Sequence, residues 1–116
     1  MSNETTAPRF TIETVRSDNV AVVRCHGRLV IGVNNFLYAK VSELFPGTKR
    51  IVLDLTDLTY MDSMGLGTLV RLYVAARSAG CSLELINIGK RIRELLGMAN
   101  LLSVFTIIGQ DNIRMP

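Results

Sequence analysis

A short stretch that is apolar at almost every position, Arg50 to Leu55 with the sequence RIVLDL, constrains the fold more than any other feature of the chain. A strand of this kind is typical of the middle of a sheet that is covered on both faces. After a polar stretch, Ser63 to Ala79 has apolar residues at helical spacing, and Gly80 follows where a left-handed C-terminal cap is expected. A buried strand followed by an amphipathic helix predicts an α/β fold with parallel strands.

The rest of the chain continues this alternation of strand and helix patterns. Asn34 or Asn35 is expected to cap the first helix. The resulting order, ββαβαβαβ, predicts one domain over residues 9–110 with a mostly parallel central sheet packed by helices, and flexible ends at 1–8 and 111–116. The other strands are predicted at Phe10 to Val15, Val20 to Cys25, Cys81 to Ile86 and Val104 to Ile108, and the other helices at Asn34 to Phe45 and Lys90 to Leu96.

Composition narrows the class of protein. The 116 residues are 48% hydrophobic and 20% charged, which is typical of a globular domain and not of a disordered chain. The net charge is +3, but the basic residues are scattered and there is no tryptophan. A protein that binds nucleic acid usually clusters its basic residues on one face and adds aromatic stacking platforms. We therefore expect no direct contact with nucleic acid.

The sequence has no pattern typical of a membrane segment, a metal site or a cofactor site. Residues 1–8 lack the basic start and apolar core of a signal peptide, and no apolar run approaches the ~20 residues of a membrane span, so a cytoplasmic protein is expected. Cys25 and Cys81 lie in separate apolar segments and are expected to be buried free thiols. Since there is no His/Cys cluster and no phosphate-binding glycine loop, no metal and no cofactor are expected.

The junction between the buried strand and the second helix, IVLDLTDLTYMDSMGLG over Ile51 to Gly67, is the most informative segment for function. The carboxyl ends of parallel strands are the usual binding edge of an α/β sheet, and the helix that follows offers unpaired N–H groups. Ser63 at the helix start has two interpretations. It is either a plain N-cap or a phosphorylation site, where a phosphate would add about −1.5 to −2 charges near Asp57 and Asp62.

The residues around Ser63 are also open to two interpretations. Met61 and Met64 flank the serine, and their flexible thioethers suit either an adaptable interface or packing under the loop. Gly65 and Gly67 fall in the first turns of the helix, where each glycine costs roughly 1 kcal/mol relative to alanine. That cost indicates a close approach by backbone, partner or phosphate at these positions.

Two short runs, VLDL over Val52–Leu55 and MDSMGLG over Met61–Gly67, resemble the signature of the STAS family: a strand, an Asp-Ser-x-Gly turn and a glycine-containing helix start. The similarity extends to Gly27-Arg28-Leu29, to the Gly80 turn and to the segment from Gly97 to Phe105, so it covers nearly the whole domain. At Val30 the chain departs from the polar or acidic residue that many antagonists of the family carry.

In the single-domain STAS proteins that act as anti-sigma factor antagonists, a partner serine kinase phosphorylates the serine of this motif, so the resemblance assigns that role to Ser63. It implies that the unphosphorylated chain binds an anti-sigma factor with a histidine-kinase-like ATPase fold in a bacterial cytoplasm and thereby frees a sigma factor. Phosphorylation ends the binding, and a serine phosphatase reverses it. No catalysis by the chain itself is expected. The partner-binding residues are then predicted to be Asn34, Asp57, Met61, Asp62, Ser63 and Met64.

The same residues also bear on two other classes of protein, serine hydrolases and receiver domains. A serine hydrolase would need a general base, for which His26 is the only histidine, and the G-x-S-x-G elbow is absent. A receiver domain would use Asp54 or Asp57 as phosphoacceptor, but it also needs acidic metal ligands after its first strand, and this chain lacks them. Asp54 is instead expected to hydrogen-bond the backbone of the following loop. Within the family, the alternative is a scaffold subunit of a stress-signalling complex or an accessory subunit of a lipid transporter.

Overall fold

The computed structural model describes residues 10–98 and the strand backbone of 106–108. The order of its elements is ββαβαβαβ, which confirms the prediction. The elements are β1 (Thr11–Ser17), β2 (Val20–Leu29), α1 (Asn34–Ser42), β3 (Arg50–Met61), α2 (Ser63–Ser78), β4 (Ser82–Ile86), α3 (Lys90–Met98) and β5 (Thr106–Ile108).

The five strands form one sheet in the order β1-β2-β3-β4-β5. β1 and β2 make an antiparallel hairpin whose turn is Asp18-Asn19, and Asp18 takes a left-handed φ of 54°. Each later pair of neighbouring strands is parallel. The sheet is therefore mostly parallel, as predicted, and β3 lies at its centre.

The three helices connect strands that step in the same direction across the sheet. Because crossovers between parallel strands are right-handed, α1, α2 and α3 lie on the same face. α1 and α2 pack against each other there, and the guanidinium of Arg71 on α2 lies 4.3 Å from the ring centroid of Tyr38 on α1. Ile92 and Leu96 of α3 belong to the same buried cluster.

The core lies between this helical layer and one face of the sheet. Along β2 and β4, every second residue is buried in this core. The largest fully buried side chains include Leu29, Leu53 and Leu85. The second face of the sheet carries cross-strand ion pairs, Arg24 with Asp54 at 3.4 Å and Arg50 with Glu84 at 2.7 Å.

Strand β3 is longer than the sequence predicted. The prediction ended it at Leu55 and placed a polar loop before the helix, whereas the strand continues to Met61. Its core-facing residues follow a spacing of two as far as Leu55, and the next buried residues, Leu58 and Met61, follow at a spacing of three. A spacing of three is not the pattern of a regular strand, and this hid the extension.

Two bulges produce that spacing. Between the pairs Arg24 with Asp54 and His26 with Asp57, β3 has one residue more than β2, and a second extra residue, Thr59, follows Leu58. The extra residues are held by hydrogen bonds. The backbone N–H of Thr56 donates to Asp54 Oδ1 at 3.0 Å, and the hydroxyl of Thr59 donates to the carbonyl oxygen of Gly27 at 3.0 Å. The bulges keep β3 paired with β2 up to the start of α2.

Of the two helix caps predicted from the sequence, the one at the end of α2 is confirmed and the one at the start of α1 is not. Gly80 follows α2 with a φ of 80°, the left-handed conformation that was predicted. The cap predicted for α1 is wrong, because the N-cap position is Val33 and no side chain caps the helix. Asn34 lies inside the first turn, where its Oδ1 accepts a hydrogen bond from the N–H of Gly32 at 3.2 Å.

Some predictions concern residues outside the described ones: the flexible ends at 1–8 and 111–116, most of the segment from Gly97 to Phe105, and the first residues of the last strand, 104 and 105. Within the described part of the chain, none of the helices has the length and apolar character needed to cross a bilayer.

Candidate functional site

Ser63 is the first residue of α2 and is exposed to solvent. The N-cap is the residue before it: Asp62 has extended backbone angles, and its carboxylate accepts a hydrogen bond from the N–H of Gly65. The interpretation of Ser63 as a plain N-cap is therefore wrong. Aspartate and serine are both good caps, and the sequence D-S alone does not say which one takes the position. The hydroxyl of Ser63 has no capping role.

The carboxylate of Asp62 joins two parts of the chain. Its Oδ1 accepts from Gly65 N–H at 2.9 Å, and its Oδ2 accepts from Ile31 N–H at 3.0 Å, so it bridges the start of α2 and the loop after β2. The backbone N–H of Asp62 in turn donates to the carbonyl oxygen of Leu29 at 3.3 Å. Both sides of the junction are fixed relative to Ser63.

The same hydrogen bonds set the charge of Asp62. The N–H of Gly65 and, more weakly, those of Ile31 and Met64 stabilise the carboxylate, and they outweigh the partial burial that opposes ionisation. The pKa of Asp62 is therefore below its ordinary value. A negative charge already occupies the positive end of α2.

Gly65 allows α2 to approach β2 closely. A Cβ atom at this position would lie 2.7 Å from Met61 Cγ and 2.9 Å from Leu29 Cγ, and it would also clash with the carbonyl oxygen of Leu29. Real Cβ atoms do not make contacts this short. The close approach that the sequence indicated for Gly65 is thus one between parts of the chain itself.

Two exposed apolar side chains lie at the Ser63 junction. Met64 follows it and is 45% exposed, and Ile31, whose backbone is tied to Asp62, is 69% exposed. Sequence reasoning missed Ile31 because an isolated apolar residue in a loop has no periodicity to mark it. Its place beside Ser63 follows only from the hydrogen bond to Asp62.

Two of the predicted partner-binding residues lie inside the protein. Met61 is 1% exposed and packs in the core, and Asn34 is 5% exposed and holds the N–H of Gly32. Of the two interpretations of the methionines, Met61 fits packing under the junction and Met64 fits the surface. Asn34 and Met61 support the site, and their side chains are not available to a partner.

Asp57 lies on β3, before the junction, and its carboxylate is half-exposed. It is 3.2 Å from His26 Nδ1, and His26 Nε2 lies 3.5 Å from Glu13 on β1. Neither ring nitrogen of His26 hydrogen-bonds Ser63, so the serine–histidine pair that a hydrolase needs is not formed between these two residues.

Asp54 hydrogen-bonds the backbone that follows it, as predicted. Besides Thr56, its carboxylate accepts from the side-chain amide of Asn87 at 3.3 Å and lies 3.4 Å from Arg24. Burial raises its pKa, but the hydrogen bonds from Thr56 and Asn87 and the charge of Arg24 outweigh burial and bring the pKa below its ordinary value. Asp54 thus links β3 to Arg24 on β2 and to Asn87, the residue that follows β4.

Cys25 and Cys81 are buried free thiols, which confirms the prediction. Burial, with a smaller effect of the Asp54 charge, raises the pKa of Cys25 to about 12. Burial also raises the pKa of Cys81, whose thiol donates to the carbonyl oxygen of Thr48 at 2.8 Å. Among residues 10–98, no three His, Cys, Asp or Glu side chains are grouped as metal ligands.

Comparison with known families finds a match over most of the chain. The family model described as the STAS domain matches residues 11–112. The match includes β1 through β5 and the junction at Ser63.

Solved structures with the same fold include regulators and a transporter relative. The phosphorylated form of SpoIIAA, a Bacillus cell fate determinant, has a TM-score of 0.68 and 19% identity, over 89% of this chain and 94% of that one. An anti-sigma factor antagonist from Mycobacterium paratuberculosis has a TM-score of 0.76 and 19% identity, over 85% of each chain. A sulfate transporter family protein from Wolinella succinogenes has a TM-score of 0.71 and 17% identity, over 84% of each chain. At these identities the likeness shows the fold.

Proposed function

The chain belongs to the STAS domain family, and from this premise we propose that it is an anti-sigma factor antagonist that is switched by phosphorylation of Ser63. The observation that carries the proposal is the position of Ser63. Ser63 is an exposed residue at the start of α2, in a junction held by Asp62 and Gly65, and its hydroxyl does not cap the helix. A serine that is exposed, fixed in place and dispensable to the fold suits a modification site.

The surface around unmodified Ser63 is suited to a protein partner. Ile31 and Met64 supply exposed apolar area, and Met64 can adapt its shape to the partner. Of the predicted contact residues, Asp57, Asp62, Ser63 and Met64 would face the partner, while Asn34 and Met61 would support the site from inside.

A phosphate on Ser63 would act at the surface. At the start of α2, the N–H of Gly65 already donates to the carboxylate of Asp62, and the N–H of Met64 also stabilises that carboxylate. The phosphate would therefore remain outside the helix end, beside a carboxylate, and add about −1.5 to −2 charges to the apolar surface that the partner uses. We propose that binding ends by charge repulsion and desolvation, without rearrangement of the fold.

In this scheme the partner performs the chemistry. The proposed partner is an anti-sigma factor with a histidine-kinase-like ATPase fold, acting in a bacterial cytoplasm. The oxygen of Ser63 bonds to the γ-phosphorus of ATP, the bond between that phosphorus and the β-γ bridging oxygen breaks, and the hydroxyl proton passes to a base on the kinase. A serine phosphatase restores the hydroxyl. The chain supplies the acceptor and performs no catalysis itself.

Mass spectrometry of the intact protein tests the proposal. The chain is incubated with ATP and each serine kinase of this class from the same organism, with Ser63→Ala as the matched control. The expected result is one added phosphate on the unmodified chain and none on the control. A phosphate that persists in Ser63→Ala, or no phosphate with any such kinase, would contradict it. In a pull-down, Ser63→Asp should lose the kinase that the unmodified chain retains.

The likeness to the Wolinella sulfate transporter family protein favours a second candidate, an accessory subunit of a transporter, with a scaffold subunit of a stress-signalling complex as a related role. Crosslinking in cell lysate with Met64 replaced by a photoreactive analogue separates these roles. Capture of an integral membrane protein would favour the transporter role, and capture of a large soluble assembly would favour the scaffold.

A further inference from the structure

One side of α2 forms an outward crest that begins at Ser63. Ser63, Gly67, Val70 and Val74 follow one another at spacings of four, three and four, so they lie along one side of the helix. Val74 is 57% exposed, although it is a β-branched apolar residue, and it lies about one turn before the end of α2. The buried residues of α2 lie on the opposite side: Gly65, Thr68, Leu69, Leu72 and Ala76.

Gly67 is not explained by the packing of the chain. A Cβ atom at this position would meet nothing within 4 Å, and the backbone is not in the left-handed region. Glycine inside a helix is unfavourable relative to alanine because it loses more backbone entropy on folding. Gly65, by contrast, is required by contacts within the chain. Gly67 thus leaves a patch of bare helix backbone on the exposed crest, with no internal use.

Two arginines flank the crest. Arg71 lies over the ring of Tyr38 at 4.3 Å, and Arg77 lies over the ring of Tyr73 at 5.7 Å and also donates to its hydroxyl oxygen at 3.0 Å. The sequence of α2 has no Asp or Glu, and no carboxylate of the described residues forms an ion pair with either arginine. Stacking on tyrosine limits the motion of each guanidinium, so two positive charges are held beside an apolar ridge.

We propose that the α2 crest, defined as Ser63, Gly67, Val70 and Val74 with Arg71 and Arg77 beside it, is the docking surface for the partner kinase. The partner would present an apolar segment that passes directly over Gly67 and reaches Val74, with carboxylates placed to meet the two arginines. This inference rests on the proposed function, because the crest is continuous with Ser63. It adds which face the partner covers and which chemistry the partner must bring.

Gly67 provides the sharpest test because stability and binding should change in opposite directions. Gly67→Ala should raise the midpoint of thermal unfolding by roughly 3–5 °C, since alanine favours the helix and meets no neighbour. The dissociation constant of Gly67→Ala for the purified partner kinase with ADP should nevertheless rise. Gly67→Leu, which blocks close approach, should weaken binding by at least ~30-fold, the size of effect seen at interface hot spots. Circular dichroism confirms that both variants fold.

The charges are tested separately. Arg71→Glu combined with Arg77→Glu should weaken kinase binding on the order of 10- to 100-fold and reduce its dependence on salt. Lys49→Glu is the matched control, because Lys49 is an exposed cation immediately before β3, at the end of that strand opposite the Ser63 junction, and its charge change should leave binding within about twofold.

Each outcome has a distinct meaning. If the kinase binds and phosphorylates the unmodified chain but binds the crest variants equally well, the docking surface proposed here is wrong and the phosphorylation switch stands. If the unmodified chain neither binds nor is phosphorylated, the proposed function fails and this inference fails with it. If Gly67→Leu instead abolishes self-association in sedimentation, or binding to vesicles of phosphatidylglycerol and phosphatidylcholine, the occupant is a second copy or a membrane, and the inference is overturned.

Discussion

At the scale of single residues, Gly65 and Gly67 share a helix and a motif and yet differ in what surrounds them. The sequence indicated a close approach at both. The structure places backbone and side chains against Gly65 and nothing against Gly67. Sequence reasoning could not separate them because the penalty for glycine in a helix is the same at both positions, and only the tertiary neighbours differ.

Substitution by alanine should therefore have opposite effects at these two positions. We expect Gly65→Ala to lower the free energy of unfolding by about 2–3 kcal/mol, because the new methyl group forces α2 away from Leu29 and Met61. Gly67→Ala should raise it by about 0.5–1 kcal/mol. Urea unfolding followed by circular dichroism measures both. Equal effects at the two positions would show that the close packing of α2 on β2 is not as described.

Asp62 makes a residue-scale prediction about pH. Its pKa is lowered in the folded protein, so its contribution to stability is fully present above the pKa of the unfolded chain, about 3.9, and is lost as the pH falls through the lower folded value. Asp62→Ala should cost about 1 kcal/mol at neutral pH, as loss of an N-cap does. The variant should also lose less stability than the unmodified protein between pH 4 and pH 2, since it lacks a carboxyl group whose pKa is lowered by folding. Denaturant unfolding at stepped pH values measures both effects, and parallel curves would contradict the role given to Asp62.

At the scale of elements, the alternation of strands and helices was readable because each element has its own hydrophobic period. The end of β3 was not readable, because its two bulges replace a spacing of two by a spacing of three. Thr56 and Thr59 look like loop residues in the sequence, and they act as bulge residues whose polar groups bond to Asp54 and Gly27. The position of the Ser63 junction, directly after a paired strand, follows from these bonds.

Removal of the Asp54 carboxylate tests the hydrogen bonds beneath the bulges. Asp54→Ala should destabilise the fold by about 2–3 kcal/mol, because it removes a buried carboxylate that accepts hydrogen bonds from Thr56 and Asn87. Asp57→Ala is the control on the same strand: its pair with His26 is partly exposed, and we expect a loss below about 1 kcal/mol. Guanidinium unfolding ranks the two, and a larger loss at Asp57 would reverse the assignment.

At the scale of the whole molecule, the fold class and strand arrangement followed from the sequence, and the family resemblance marked the junction. The separate roles of the three residues at the junction could not be predicted from the sequence. Asp62 caps α2, Met61 packs in the core and Ser63 is exposed. These roles depend on the direction in which each side chain leaves the end of β3, and this direction is set by the bulges.

These separate roles predict that a charge at Ser63 leaves the fold unchanged. Ser63→Asp should keep the free energy of unfolding within about 0.5 kcal/mol of the unmodified chain, as surface substitutions usually do. In amide correlation spectra, shifts should be confined to the first turn of α2 and the loop that contains Ile31. Shifts that spread into β4 or α3 would mean that the charge acts through a conformational change.

The two buried thiols can be used to measure how often the folded protein opens. Cys25 lies inside β2 and Cys81 lies just before β4, and neither sulfur is available to a reagent while the structure is closed. A disulfide reagent such as dithionitrobenzoate can therefore react only with molecules that have opened, and its reaction rate measures how often the thiols become accessible. Since Cys81 lies at a junction between elements and Cys25 lies within a strand paired on both sides, a faster reaction at Cys81 would reveal partial opening at the α2–β4 corner. Equal rates would mean that the domain opens only as a unit.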